Sequence, residues 1–216
     1  MSSSRNAILT RLRDAKPTAK EMETITYKPW HSNDQKLLRQ RFIAGLSASH
    51  AEVISTKQDT LNEVLEKILL SKKFKRIALG TAGDFHKNLV QVTGPFETQI
   101  FDRDIKEWQS ILFNDIDVGI THCSAGIADT GTLVLWPDVF EPRSLSLVPP
   151  SHIALIKRST IVSNFSELMI VKAWQDNMPT NVVLVSGPSK TADIQQTLAY
   201  GAHGPSQLLV VLIEDM

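Results

Sequence analysis

Residues 51–80, AEVISTKQDTLNEVLEKILLSKKFKRIALG, decide the fold. The opening AEVIST (51–56) is short and rich in β-branched residues, as a strand is. TLNEVLEKILLSKK (60–73) places Leu61, Val64, Leu65, Ile68 and Leu69 on one helical face. RIALG (76–80) returns to a strand and stops on glycine.

The alternation continues downstream. The pattern predicts a helix from about Asp84 to Val92 with Asp84 as N-cap, a strand near Glu97 to Phe101 and a helix from Asp104 to Phe113. DVGITHC (117–123) and GTLVLW (131–136) are apolar strands, and only about eight residues separate them, so they are expected to pair antiparallel. HIALIK (152–157), a helix from about Ile161 to Trp174, NVVLVS (181–186), a helix over 190–200 and LLVVLIE (208–214) complete the series. Such alternation implies an α/β domain with a mostly parallel sheet and helices on both faces.

The first fifty residues read differently. SSSRNAILTRLRDAKPTAK (2–20) is a Ser-capped helix with Ile8, Leu9 and Leu12 on one face, ended by Pro17. After an aperiodic stretch to Trp30, NDQKLLRQRFIAGLSASH (33–50) sets Leu37, Leu38, Phe42 and Leu46 on a helical stripe. The expected division is a helical arm over 1–50 and an α/β domain over 51–216. The arm is able to cover its own core or a neighbouring subunit, the latter giving a homo-oligomer.

Composition narrows the function classes. Twenty-three Lys and Arg balance 23 Asp and Glu among the 216 residues, so no positive field gathers nucleic acid or anionic lipid. The longest apolar runs have a strand's length, far short of the roughly 20 residues of a membrane helix. The N-terminal MSSSRNAILTRLRDA has no apolar signal-peptide core, and the expected location is the cytoplasm. Cys123 is the sole cysteine, which excludes an internal disulfide and a four-thiolate iron–sulfur cluster or zinc site within one chain.

Several loops have residues suited to chemistry. VSGPSKTADI (185–194) looks like a phosphate loop but lacks the glycine spacing of G-x-x-x-x-G-K-[ST]. Ahead of the expected helix, Ser186, Gly187, Ser189, Lys190 and Thr191 suit a carboxylate or phosphate through hydroxyls, backbone N–H groups and one cation. The ordinary alternative is a cap at Ser189 or Thr191 with Lys190 solvated. LGTAGDFHKN (79–88) lacks a dinucleotide fingerprint and reads as a tight turn.

THCSAGIADTGTLVLW (121–136) gathers His122, Cys123, Asp129, Thr130, Gly131 and Thr132 between two apolar strands. Asp129 is a candidate acid or base, while His122 and Cys123 read better as hydrogen-bonding structure, since neighbours on a strand face opposite sides. Arg143 in EPRSLSLVPPSH (141–152) suits bidentate carboxylate binding, with surface solvation as its alternative. His203 in GAHGP (201–205) follows Gly201, an expected helix C-cap, and is a candidate ligand-binding or acid–base group, or a brace for the turn.

Taken in order, IADTGTLVL (127–135), RSLSLVPPSHIALI (143–156), VSGPSKTADIQQTLAYGAHGP (185–205) and LLVVLIED (208–215) resemble the lactate utilization protein C family, which has the LUD domain. The resemblance covers about residues 75–215 and implies a three-layer α/β/α fold of the NagB/RpiA/CoA-transferase type. It further implies a cofactor-free component of a bacterial system that oxidises L-lactate to pyruvate beside iron–sulfur partner proteins. Thr130–Thr132, Arg143 and Ser186–Thr191 would then bind a small carboxylate or other anion. Many members carry Glu where this chain has the shorter Asp129. The competing expectation is a stand-alone enzyme on the same fold, a CoA transferase or sugar-phosphate isomerase.

Overall fold

The computed structural model describes residues 2–15, 28–102, 105–192, 198–201 and 203–216. Helices α1 (Ser2–Asp14) and α2 (Gln35–Ala48) lead into β1 (Glu52–Thr56), α3 (Leu61–Ser71), β2 (Arg76–Leu79), α4 (His86–Thr93) and β3 (Glu97–Ile100). Next come α5 (Ile105–Asn114), β4 (Val118–His122), β5 (Ala125–Ile127), β6 (Thr132–Leu135), α6 (Ser144–Leu147) and β7 (Ser151–Lys157). A 3₁₀ turn (Arg158–Thr160), β8 (Ile161–Val162), α7 (Phe165–Val171), β9 (Val183–Val185), β10 (Lys190–Ala192), β11 (Leu198–Tyr200) and β12 (Gln207–Ile213) follow.

The central sheet has six strands in the order β1-β12-β7-β4-β2-β3, and every neighbouring pair is parallel. Parallel strands are covered on both faces, which is why β12 reads QLLVVLI without alternation. On one face Ile77, Leu79, Ile120, Ile153, Leu155, Leu209 and Val211 pack against Leu61, Leu65 and Leu69 of α3 and Leu89 of α4. On the other, Ala154, Ile156, Leu208, Val210 and Leu212 meet Leu38, Phe42 and Leu46 of α2. Further along this face Ala78 packs with Leu112 of α5 and Leu145 of α6. The result is the expected α/β/α layering, with a mostly parallel sheet between helices.

Helix α2 starts where Asp34 accepts hydrogen bonds from the N–H groups of Lys36 and Leu37, at 2.8 and 3.4 Å. Leu38, Phe42 and Leu46 lie a turn apart on its buried face, whereas Leu37, expected on that stripe, is exposed. Phe42 is fully buried, and its loss to alanine would cost roughly 3–5 kcal/mol. Thus α2 supplies core, while Ile8 and Leu12 of α1 stay exposed.

A second, four-stranded sheet runs β8-β5-β6-β9. Here the expected pairing of 131–136 with 117–122 is corrected: β6 pairs antiparallel with β5 and with β9. The chain changes sheets after β4. The Cys123 N–H donates to Leu155 O in the central sheet, and the next N–H, of Ser124, donates to Val134 O in the second. Gly126 permits this crossing, since a Cβ there would lie 2.8 Å from the Phe42 ring and 2.9 Å from Ile156 Cδ1.

Three expected helices are also revised. The helix placed over 161–174 starts later: Ile161 and Val162 join β8, and Asn164 caps α7 by accepting from the Glu167 N–H at 3.0 Å. Helix α4 begins at His86 with Phe85, not Asp84, at the N-cap and no side-chain cap, while the Asp84 carboxylate pairs with Lys157 Nζ at 2.7 Å. The helix expected over 190–200 is replaced at both ends by strands, β10 pairing antiparallel with β11 from Lys190↔Tyr200 to Ala192↔Leu198. Residues 193–197 lie outside the described residues. The Ser189 N–H donates to Pro205 O and the Gly201 N–H to Ser189 O, so the backbone bonds run across the segment and not along a helix. Gly201, with φ +83°, therefore follows a strand and caps no helix.

Candidate functional site

Two loops meet the C-terminal end of α2. The first, Asp129–Gly131, connects β5 to β6 and turns at Gly131, whose φ is +60°. A Cβ on Gly131 would stand 2.6 Å from Gly45 Cα, so two glycines set the closeness of loop and helix. The second loop follows β9, where a Cβ on Gly187 would stand 2.7 Å from Ser49 O. A chain of hydroxyls joins the loops, with Thr130 Oγ1 2.6 Å from Thr132 Oγ1 and the latter 2.7 Å from Ser186 Oγ.

Ser186 in turn lines a cavity of about 180 Å³ beside the amino-terminal ends of β7 and β12. The lining includes Gly187, Ser189 and His203 from the residues expected by sequence, together with Ser146 of α6 and His152 of β7. Leu147, Val185, Pro205 and Leu208 contribute apolar wall. Among the described residues that line it there is no Asp, Glu, Lys or Arg. The loop after β9, a strand of the second sheet, thus faces the end of the central sheet where β7 and β12 begin.

His152 is 1% exposed, and its Nε2 lies 2.8 Å from Thr121 Oγ1. Burial lowers its pKa to about 4, so the ring is neutral at pH 7. The geometry of β4 and β7 makes this contact possible: Gly119 lies level with His152, and Thr121 projects two residues further on the same face. Neither His152 nor Ser146 was singled out from the sequence. A polar residue at the head of the apolar run HIALIK was the available signal for His152.

The remaining expected residues lie elsewhere. Arg143 precedes α6 and lines a narrow cleft with His122, Trp136, Glu141 and Ser146, so only Ser146 is common to cleft and cavity. Lys190 is exposed at the start of β10 and is not among the cavity residues; Thr191 follows it in that strand. The Asp129 carboxylate accepts from Arg41 Nη2 at 2.7 Å, and the Arg41 guanidinium lies 4.6 Å from the Trp30 ring centroid.

At the carboxyl end of β4, His122 is fully engaged. The Phe85 N–H donates to Nε2 at 3.1 Å, which places the ring proton on Nδ1, where it donates to Glu141 Oε1 at 2.8 Å. The His122 backbone N–H also donates to the Glu141 carboxylate, 3.0 Å from Oε2. Half-buried Cys123 is next to this group; burial and the nearby Glu141 charge push its thiol pKa up, so it stays protonated and poorly nucleophilic at neutral pH. Among the described residues no three His, Cys, Asp or Glu side chains converge as metal ligands. Nor is any described helix long and apolar enough to cross a membrane.

This architecture has counterparts. The LUD domain profile matches residues 39–213, from within α2 to the end of β12. An uncharacterized protein of Neisseria meningitidis serogroup B is 36% identical over 98% of this chain and 94% of its own. Lactate utilization protein C of Macrococcus caseolyticus is 29% identical over 77% of this chain and 73% of its own. The protein of that name from Halalkalibacterium halodurans is also 29% identical, over 86% and 82%. A crystal structure of a DUF162 family protein from Deinococcus radiodurans superposes with a TM-score of 0.62 at 19% identity, covering 84% of this chain and 99% of the other, which matches the fold. With the profile spanning both sheets and the loops that meet α2, the chain belongs to the LUD domain family, and the lactate utilization C proteins are its relatives.

Proposed function

We propose that this chain is a component of lactate utilization in the cytoplasm, that it holds no cluster itself, and that iron–sulfur partner proteins carry the electrons as L-lactate is oxidised to pyruvate. The observation that carries the reading is the kinship, across nearly the whole domain, with proteins named for lactate utilization. The sole Cys123, its thiol kept protonated by burial, fits a division of labour in which clusters belong to partners.

The cavity at Ser186, Gly187, Ser189 and His203 is the place proposed for a small carboxylate. Its hydroxyls and imidazoles offer hydrogen bonds, and none of the described residues on its wall is an acid that would repel an anion. Thr130 and Thr132 act behind Ser186, orienting its hydroxyl. The absence of a lysine or arginine among the described wall residues favours a small carboxylate over the multiply charged phosphates of CoA esters or sugar phosphates.

Affinity isolation of the tagged chain from lactate-grown cells tests the partner claim. Proteins carrying iron–sulfur clusters should co-purify in stoichiometric amount, with the iron in their fractions; isolation of the chain alone under conditions that preserve complexes would refute it. A thermal-shift series tests the ligand claim, because a ligand selective for the folded state raises its stability. L-lactate or pyruvate should stabilise the chain, whereas stabilisation only by CoA esters or sugar phosphates would favour a transferase or isomerase.

A further inference from the structure

His152 is an anomaly in the central sheet. It shares a face of β7 with Ala154 and Ile156, both fully buried and both part of the apolar layer under α2. An imidazole in that layer is retained at a cost unless its nitrogens are used. Nε2 is used by Thr121, 2.8 Å away. Among the described residues no other group bonds the ring, which leaves Nδ1 as its free polar atom, on a side chain that is 1% exposed and lines the cavity.

The chemistry of the surrounding wall narrows what meets that atom. Neutral at pH 7, the ring offers one hydrogen bond without a counter-charge. Leu147, Val185, Pro205 and Leu208 suit a short hydrocarbon, and Ser186 and Ser189 suit oxygens. Exposed His203 marks the solvent side, where a carboxylate keeps its water and needs no buried cation.

We infer that the cavity binds a small 2-hydroxy or 2-oxo acid and that Nδ1 of His152 hydrogen-bonds the oxygen on its second carbon. This rests on the carboxylate reading of the cavity and adds the atom that distinguishes such an acid from an unsubstituted one of similar size. Thr121 is the positioning residue, holding the ring by Nε2 so that Nδ1 is presented.

Titration calorimetry of the full chain with L-lactate, pyruvate and propionate tests the assignment. The first two should bind at least about tenfold more tightly than propionate, which lacks the oxygen. His152→Gln sets an amide near the Nε2 position, keeps the Thr121 contact and should abolish the preference. His152→Asn sets its amide near Nδ1 and should retain part of it; a purely structural histidine predicts the reverse order of tolerance. In the unaltered chain, which avoids any folding defect of the variants, the ¹⁵N resonance of Nδ1 should move with L-lactate and not with propionate. If none of the three acids binds, both the inference and the carboxylate reading fall. If L-lactate binds but is not preferred to propionate, or if the preference survives in His152→Gln with Nδ1 unmoved, only the inference falls.

Discussion

Thr132 Oγ1 lies 2.7 Å from Ser186 Oγ, so a buried hydroxyl on β6 holds a side chain on the wall of the cavity. Neither residue is close to the other in sequence. The antiparallel pairing of β6 with β9 brings them together.

Removing that hydroxyl while keeping the shape should therefore be felt in stability. Thr132→Val leaves Thr130 and Ser186 without their shared partner and should cost about 1–2 kcal/mol in urea unfolding. In a double-mutant cycle Ser186→Ala should show coupling of at least about 0.5 kcal/mol with Thr132→Val. Additive losses would mean that the contact contributes nothing.

Gly131 faces Gly45 of α2 with a left-handed φ of +60°, and a Cβ would meet Gly45 Cα at 2.6 Å. Gly131→Ala combines backbone strain with a clash against backbone atoms that have no rotamer to yield. The expected loss is at least about 2 kcal/mol, seen as a fall of about 4–8 °C in Tm.

The pH dependence of stability should carry the signature of His152. Its pKa falls from 6.5 to about 4 on burial, so between these values the unfolded chain binds the extra proton. Stability consequently rises with pH through this window; the contribution is complete above pH 6.5 and is lost as pH falls toward 4. The shift corresponds to roughly 3 kcal/mol. Urea unfolding at a series of pH values should show this slope in the unaltered chain and a shallower one in His152→Asn, relative to the background of the carboxylates.

The Arg41–Asp129 pair should matter less than its short distance suggests. Arg41 is 45% exposed and Asp129 15%, and solvent screens such a contact. Asp129→Asn should cost no more than about 1 kcal/mol, with the difference shrinking at about 1 M salt. A loss that is larger and insensitive to salt would point to a structural role for the carboxylate beyond this pair.

The central sheet was legible because its inner strands β7 and β12 are buried on both faces and appear as unbroken apolar runs. Helix α3 was legible for the complementary reason that its Leu61, Leu65, Ile68 and Leu69 follow the helical period. The second sheet was not. AGI in β5 is three residues long, and its position depends on Gly126 fitting under Phe42, a contact of distant origin. Half of TADIQQTLAY (191–200) is good helix formers, but the bonds from Ser189 to Pro205 and from Gly201 to Ser189 direct its ends into a strand pair.

The candidate site divides the same way. Ser186, Gly187, Ser189 and His203 stood out as small or polar residues in loops, and they share one cavity. Lys190 and Arg143 stood out by charge, yet neither lines it: Lys190 is exposed on β10 and Arg143 lines the neighbouring cleft. His152 was hidden by the strand around it, since a lone polar residue in an apolar run gives no indication of which wall it joins. Gly45 gave only the weak signal of a glycine inside a helix, and its reason is the approach of Gly131.

Growth on L-lactate tests the account most directly. In a host without a second lactate oxidiser, deleting the gene for this chain should abolish growth on L-lactate, leave growth on pyruvate intact, and be reversed by restoring the chain. Undiminished growth of the deletion strain on L-lactate would contradict the account.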